Sequence, residues 1–187
     1  DIFVVEAGSL KKNLSKYATW HANSKTVRQK GLRFPRGMNY GLYQMWKEKI
    51  FTKYKAFFLI TNDTVIEDKK TLKKLYSILL KNKKIGILSP CSKKWGENKL
   101  LKKNSIKFSW YIHNHAYLLN TDFLLKIINP SSGYKHFLYD GSNFRGYGLE
   151  SELIAKAYAN NFAAAITNQV YVEENEDYLL NYNDLIK

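Results

Sequence analysis

The 187-residue chain is 45% hydrophobic and 15% aromatic, which excludes a disordered chain and is enough for one domain with a hydrophobic core. Its formal net charge is +14, and it has no apolar run long enough to span a bilayer. The charge predicts anionic substrates, an anionic membrane surface or nucleic acid as partners, although a solvated lysine-rich surface also explains it. The single cysteine, Cys91, excludes an internal disulfide and is typical of a reducing, cytoplasmic location.

The first predicted element is a strand over residues 2–5, an apolar run that ends at Glu6 and a glycine turn. Residues 31–41 contain three glycines and a proline, and they therefore predict a loop. Asn39 in this loop is a suitable N-cap for a helix over residues 42–51, whose apolar residues recur at helical spacing. We expect that helix to lead into the next strand.

The chain is organised around residues 57–68, in which an apolar run ends abruptly in Thr61, Asn62, Asp63 and Thr64. This pattern predicts an interior strand of a mainly parallel sheet, and open α/β sheets bind ligands at the carboxyl ends of such strands. A carboxylate there suits a divalent cation that holds phosphate oxygens. The alternative is that these residues only form a turn and a helix cap, because Asp, Asn and Thr are common turn residues.

Helices and strands alternate through the rest of the chain. Leucines at helical spacing predict an amphipathic helix over residues 68–82, followed by a buried strand over 85–88. The pattern then predicts a strand over 108–119, a helix over 122–128, a helix over 149–160 and a strand over 163–172. This order indicates an α/β fold, a single domain with a mainly parallel sheet flanked by helices. Neither a GxGxxG fingerprint nor a P-loop motif is present in the sequence.

Five short motifs occur in one order along the chain: FVVEAGS, RGMNYG, FLITNDTVI, IGILSP and GYGLESEL. Together they resemble the family-two nucleotide-sugar glycosyltransferases. The resemblance implies a nucleotide-diphospho-sugar transferase (GT-A-like) fold, with a donor-nucleotide half over residues 1–90 and an acceptor half over residues 91–187. It also implies that the sequence starts at the family's second strand, so that the first strand would precede Asp1.

The resemblance implies roles for five residues in binding the donor. Asp63 stands where the family's strand-end aspartate ligates Mg²⁺ or Mn²⁺, and Asn62 precedes it in the same motif. Thr61 replaces the first acid of the family's DxD motif, which leaves one protein carboxylate fewer for the metal. Glu6 takes the place of an aspartate that contacts the nucleoside. Arg36 and Asn39 match the family's loop before the next helix.

The resemblance further implies that Glu150 is the general base of an inverting displacement. Such a base must lie within hydrogen-bond reach of the attacking hydroxyl. Glu152 lies two residues on, and positions two apart do not share a helix face, so only one of the two is expected to reach the acceptor. The alternative is that both are first-turn acids that favour the helix dipole.

His113 and His115 alternate on a predicted strand, so their side chains are expected on one side of it. The spacing permits metal ligation, but no third ligand follows nearby, and a place in the acceptor cleft is the favoured interpretation. Trp110 either stacks on a sugar or packs in the protein. With Glu152, these three residues form the predicted acceptor set.

The first functional hypothesis is an inverting glycosyltransferase of polysaccharide biosynthesis, which transfers sugar from a UDP- or dTDP-sugar to a glycan or lipid-linked acceptor. Peripheral contact with an anionic membrane is compatible with it and predicts a location at the inner membrane face. The alternatives are a non-catalytic relative, since Thr61 and Glu6 replace family acids, and a basic nucleic-acid-binding module. The ordered motifs favour the transferase over the nucleic-acid-binding module.

Overall fold

The computed structural model describes residues 1–143 and 145–175, and it is an α/β protein, as the sequence predicts. The chain forms two compact units. The first combines Asp1–Tyr54 with Ile127–Glu152, and the second combines Lys55–Lys126 with the described residues from Leu153 onward. Across residues 1–143 and 145–175, no helix is both long enough and apolar enough to cross a membrane.

The first unit contains a parallel pair of short strands, β1 (Val5–Ala7) and β2 (Trp20–Ala22). Two helices follow, α1 (Lys25–Lys30) and α2 (Arg33–Lys47). The hydroxyl of Ser24 accepts a hydrogen bond from the backbone N–H of Val27 at 3.4 Å and so caps α1. A small core of buried apolar side chains joins these elements, namely Ala22, Val27 and Leu32.

The prediction of a loop over residues 31–41 is wrong for most of its length, because α2 begins at Arg33. Pro35 lies in the first helical turn, where its missing N–H has no intrahelical acceptor to bond. Gly41 faces β1, and a Cβ atom at this position would lie only 3.0 Å from Cγ2 of Val5. This glycine therefore permits close helix–strand packing. Asn39 lies inside the helix and does not cap it.

The second unit is built on a five-stranded sheet with the order β3-β7-β5-β8-β6. Its strands are β3 (Ala56–Ile60), β5 (Ile85–Cys91), β6 (Ile106–Phe108), β7 (Ala116–Asn120) and β8 (Ala163–Tyr171). A separate two-stranded pair consists of β4 (Thr64–Val65) and β9 (Glu173–Glu174). Three helices lie close to their predicted positions, namely α3 (Thr71–Lys81), α4 (Thr121–Ile127) and α5 (Leu149–Ala159). Helix α3 belongs wholly to the second unit, whereas the last residue of α4 and the first four residues of α5 belong to the first unit.

Helix α3 packs on one face of this sheet because its apolar residues recur every three or four positions. Leu75, Ile78 and Leu79 are buried on its inner side. They belong to a core that also contains sheet residues, namely Ile85, Leu88, Leu118, Ala165 and Val170. The predicted amphipathic helix is therefore confirmed.

The predicted mainly parallel sheet is wrong. Only β5 and β8 pair in parallel, whereas β3 with β7, β7 with β5, and β6 with β8 pair antiparallel. Parallel neighbours require a long crossover, usually a helix, and no α-helix lies between β5 and β7. The predicted strand over residues 108–119 is in fact two strands, β6 and β7, which are not neighbours in the sheet. Strand β3, predicted as interior, is the outermost strand of this five-stranded order.

One geometric consequence of the parallel prediction nevertheless holds, namely that three strands end at the same edge of the sheet. Strand β7 is antiparallel to both β3 and β5, and β5 is parallel to β8. Strands β3, β5 and β8 therefore all run in the same direction. Their carboxyl ends lie at the same edge of the sheet, which we call the carboxyl edge.

Candidate functional site

The carboxyl edge of the second unit collects polar residues from three parts of the chain. Asp63 follows β3, Ser92 follows β5, and Glu173 and Glu174 follow β8. Strand β4 pairs with β9, and Asn175 donates its backbone N–H to the carbonyl oxygen of Asp63 at 2.7 Å. The predicted metal ligand thus lies beside the two acidic residues that form β9.

Asp63 is held on a short turn that is anchored to His115. The hydroxyl of Thr61 donates a hydrogen bond to Oδ1 of Asp63. The backbone N–H of Thr61 and the hydroxyl of Thr64 donate to the carbonyl oxygen of His115, at 2.9 and 2.8 Å. The turn leads into β4, so the alternative of a helix cap at Asp63 is wrong, although the turn itself is as predicted. Asn62 is exposed next to Asp63.

The imidazole of His115 is buried among these acidic groups. Burial lowers its pKa, whereas Glu174, a hydrogen bond to the backbone of Val172, and then Asp63 act in the opposite direction. Asp63 and Glu174 therefore lie close enough to His115 for their negative charges to favour the protonated imidazole. With its pKa below the ordinary value of about 6.5, His115 is mainly neutral at pH 7.

His113 lies in an aromatic cluster that the sequence pattern did not predict. Its imidazole stacks on the indole of Trp95, and the ring of His115 lies edge-on to the same indole at a centroid distance of 4.8 Å. Burial, and secondly the neighbouring His115, lower the pKa of His113 to about 2. Oε2 of Glu97 lies 3.8 Å from Nε2 of His113, but the imidazole is neutral near pH 7, so the two do not form an ion pair there.

The prediction that His113 and His115 alternate on a strand is wrong, although their rings do lie close together. They precede β7 in an irregular segment and meet because both contact Trp95. Trp95 and Glu97 were missed because they lie in a polar, lysine-rich stretch without periodicity. A lone tryptophan among lysines was the only local signal of this cluster.

The described residues fit one kind of bound metal and not another. They contain no group of three His, Cys, Asp or Glu side chains that would hold an ion. A metal held entirely by protein side chains therefore does not fit the described site, and a metal role for His113 and His115 has no support. A Mg²⁺-type ion that arrives with a diphosphate does fit, because such ions use one or two carboxylates together with phosphate oxygens and water. Asp63 supplies one carboxylate of that kind.

Trp110 packs in the protein, which is one of the two interpretations that the sequence left open, and stacking on a sugar stays a prediction. Its indole stacks on the ring of Tyr158 at a centroid distance of 4.2 Å, so it packs against α5. It is nevertheless 72% exposed. Part of the aromatic surface therefore remains accessible to a ligand.

Three predicted site residues of the first unit converge on one chain segment, residues 135–141. Asn39 is fully buried and binds the backbone of Tyr139 through both its amide oxygen and its amide nitrogen, each at 2.9 Å. Arg36 donates from Nε to the carbonyl oxygen of Gly141 at 2.6 Å. Both carboxylate oxygens of Glu152 accept from the backbone N–H of Asp140, at 3.1 and 3.2 Å. These side chains fix the course of this segment.

Glu6 organises the turn that follows β1. Its carboxylate accepts hydrogen bonds from the hydroxyl of Ser9 at 2.7 Å and from the backbone N–H of Ser15 at 3.0 Å. A cavity of about 420 Å³ lies beside this turn. It is lined by residues at the carboxyl ends of β1 and β2 and by one helix residue, among them Ser9, Lys11, His21, Asn23 and Arg28.

Glu150 lies in the first turn of α5 and is half-buried. A first-turn acid favours the helix dipole, as the alternative interpretation of Glu150 has it, and the role of general base stays a prediction. Gly148 in the turn before α5 has a φ of 74°, a left-handed conformation that glycine adopts without strain. This glycine turn therefore leads directly into the first turn of α5, which contains Glu150.

Comparison with known proteins gives no family assignment. No protein-family model matches the chain, and no curated protein matches it either. The functional interpretation therefore rests on the five motifs and on the geometry of the residues described above.

Proposed function

We propose that this protein is an inverting glycosyltransferase of the family-two type, with a GT-A-like fold and a nucleotide-sugar donor. One observation carries the proposal. Asp63, the residue that the resemblance assigns to the metal, lies at the carboxyl edge, where β3, β5 and β8 end together. Ligands of open α/β sheets bind at such edges.

In this proposal Asp63 binds a Mg²⁺ or Mn²⁺ ion that arrives with the donor diphosphate. When bound, the ion neutralises the negative charge that develops on the departing diphosphate. Thr61, which replaces a family acid, orients the Asp63 carboxylate through its hydroxyl and adds no charge. Asn62 and Glu6 keep their assignments to the donor, with Glu6 at the nucleoside.

We assign the role of general base to Glu150. It would accept the proton of the acceptor hydroxyl while that oxygen attacks the anomeric carbon and the bond to the diphosphate breaks. Glu152 is the weaker candidate because both of its carboxylate oxygens bind the backbone of Asp140. Arg36 and Asn39 are proposed to act indirectly, by holding residues 135–141 in place.

The acceptor is proposed to be a glycan or a lipid-linked sugar, as in polysaccharide biosynthesis. Exposed aromatic rings bind the apolar faces of sugars, and Trp110 is the exposed ring among the predicted acceptor residues. His113 and His115 are buried against Trp95 and would shape the acceptor region more than contact the sugar.

Calorimetric titration with UDP and dTDP, each with and without Mn²⁺, tests the proposal. We expect manganese-dependent binding of one nucleotide and its loss in Asp63→Ala. The matched control is Asp68→Ala, which removes an equal charge five residues away, where the carboxylate pairs with Lys74 at 2.7 Å on the surface. Equal losses in both variants would mean that general electrostatics, and not a site at Asp63, explains the binding.

A non-catalytic relative is the second candidate, and it is favoured by the presence of Thr61 at the position of a family acid. It predicts nucleotide binding that is absent or independent of manganese. Wild-type protein that binds neither nucleotide, with or without the metal, would overturn the transferase proposal in favour of this one.

A further inference from the structure

The segment around α3 carries an unusual concentration of positive charge. Between Asp68 and Glu97 the sequence has nine lysines and no acidic residue. Asp68 neutralises one of these lysines, since it pairs with Lys74 at 2.7 Å. Lys93 is neutralised as well, since it pairs with Glu67 at 2.7 Å just outside this stretch.

Helix α3 has two faces of different character. Its inner face is buried against the sheet through Leu75, Ile78 and Leu79. Its outer face presents Lys73 and Lys81 to solvent, and Lys83 and Lys84 are exposed just after the helix. None of these four lysines forms an ion pair within residues 1–143 and 145–175.

Two leucines lie among these lysines on the outer face. Leu72 is 52% exposed and Leu80 is 59% exposed, although both are large apolar side chains on a regular helix. They are eight residues apart, which places them about 12 Å from each other along the helix axis and about 80° apart around it. One apolar side chain on a surface is ordinary, but two exposed leucines next to lysines that form no ion pair among the described residues make an amphipathic surface.

We propose that this surface, defined by Leu72, Lys73, Leu80, Lys81, Lys83 and Lys84, binds the anionic headgroup surface of a lipid bilayer. The lysines would attract acidic lipid headgroups, and the two leucines would enter the boundary between headgroups and acyl chains. The helix would lie in the plane of the membrane, and the buried face of α3 would stay packed on its sheet.

The same lysines suit nucleic acid, but the composition of the surface favours lipid. Residues 69–84 contain no arginine, which is the side chain that most often contacts bases and forms paired bonds to phosphate. Exposed leucines gain nothing from contact with a phosphate backbone, whereas a bilayer interface removes them from water. The leucines therefore distinguish the two partners.

The inference does not depend on the proposed glycosyl transfer. It rests on the outer face of α3, whereas the transferase proposal rests on Asp63 and Glu150. Vesicle binding is measured without donor or metal, so failure of one proposal leaves the other intact.

Co-sedimentation of the full chain with lipid vesicles tests the inference. We expect binding to vesicles of phosphatidylcholine and phosphatidylglycerol in equal parts, no binding to phosphatidylcholine alone, and weaker binding as salt is added. Each lysine near an anionic surface contributes on the order of a fivefold change in affinity, so K73E/K81E should weaken binding by about 20-fold or more. L72S/L80S should weaken it as well, with no change in net charge.

The matched control is K102E/K103E, which makes the same charge change at two exposed lysines elsewhere in the second unit. It should weaken vesicle binding much less than K73E/K81E, and circular dichroism should show that all variants are folded. No binding to the anionic vesicles, or equal weakening by the control, would overturn the inference. Binding to duplex DNA that K73E/K81E abolishes, together with vesicle binding unaffected by L72S/L80S, would assign the surface to nucleic acid.

Discussion

The side chain of Asn39 forms two hydrogen bonds with the backbone of Tyr139. Its amide oxygen accepts from the N–H of Tyr139, and its amide nitrogen donates to the carbonyl oxygen of the same residue. The two residues are a hundred positions apart in sequence. The amide oxygen also accepts from Leu138, and the amide nitrogen also donates to the carbonyl of Lys135. One buried side chain thus satisfies four backbone groups of a neighbouring segment.

Replacing Asn39 should therefore be costly for stability. Asn39→Ala removes four hydrogen bonds to backbone groups in a buried site, and each such bond contributes roughly 0.5–1.5 kcal/mol. We expect the free energy of unfolding, measured by urea denaturation, to fall by about 3 kcal/mol or more.

The control for that measurement is Asn82→Ala, which removes one partly buried hydrogen bond to the carbonyl of Ile78. It should cost about 1 kcal/mol. A loss in Asn39→Ala no larger than in Asn82→Ala would show that water readily replaces the Asn39 amide.

The buried His113 should make the protein less stable in mild acid. Its pKa is about 2 in the folded protein and about 6.5 when unfolded, so the unfolded chain binds more protons below pH 6.5. The stabilisation is complete above that pH and decreases as the pH falls towards the folded value. Between pH 7 and pH 5 we expect the free energy of unfolding to drop by about 2 kcal/mol from this residue.

His113→Phe keeps an aromatic ring against Trp95 and removes the titrating group. Urea denaturation at the two pH values should therefore show a smaller drop than wild type. His136→Gln is the control, because His136 is exposed and pairs with Asp140, so this variant should keep the dependence due to His113. An unchanged pH dependence in His113→Phe would mean that water reaches the imidazole.

The thiol of Cys91 should react slowly in the folded protein. Burial raises the pKa of its thiol to about 11, so the thiolate that reacts with disulfide reagents is scarce. At pH 8 we expect labelling by an aromatic disulfide to be about 100-fold slower than in urea-denatured protein, or slower still because of burial. Equal rates in the two states would show that the thiol is accessible.

Glu150→Gln tests the proposed general base. Loss of a general base costs on the order of 10²–10⁴ in rate, and the affinity for the donor should be nearly unchanged. The measurement is release of nucleoside diphosphate from the sugar donor in the presence of acceptor. Glu152→Gln is the matched control, since it should keep most of the activity, and a larger loss there than in Glu150→Gln would exchange the two assignments.

The sequence predicts local elements of this protein well and their pairing poorly. Helix α3 was predicted because burial of one face imposes a period that is visible in the chain. Helix α2 was missed over residues 33–41 because Pro35 and Gly41 are typical loop residues, and the reason for Gly41 is its contact with Val5, a tertiary fact. Strand direction depends on how the chain crosses the sheet, and no local pattern records that β7 lies between β3 and β5.

The same distinction holds for the site residues. The position of Asp63 at a strand end follows from an apolar run that stops at polar residues, and the structure has it there. The meeting of Trp95 with His113 and His115 was not predictable, because an irregular segment brings them together. Asn39 was singled out for a ligand, whereas its burial and its four backbone contacts give it a structural function.

Each compact unit is assembled from two separate stretches of the chain, and this has a consequence for biosynthesis. The first unit needs Ile127–Glu152 to pair with Asn39, and the second needs β8, which lies between β5 and β6 in the sheet. A nascent chain that ends near residue 126 would thus contain neither unit in full. Neither unit is expected to fold before the residues that follow Lys126 have left the ribosome, and contacts so distant in sequence favour slow folding.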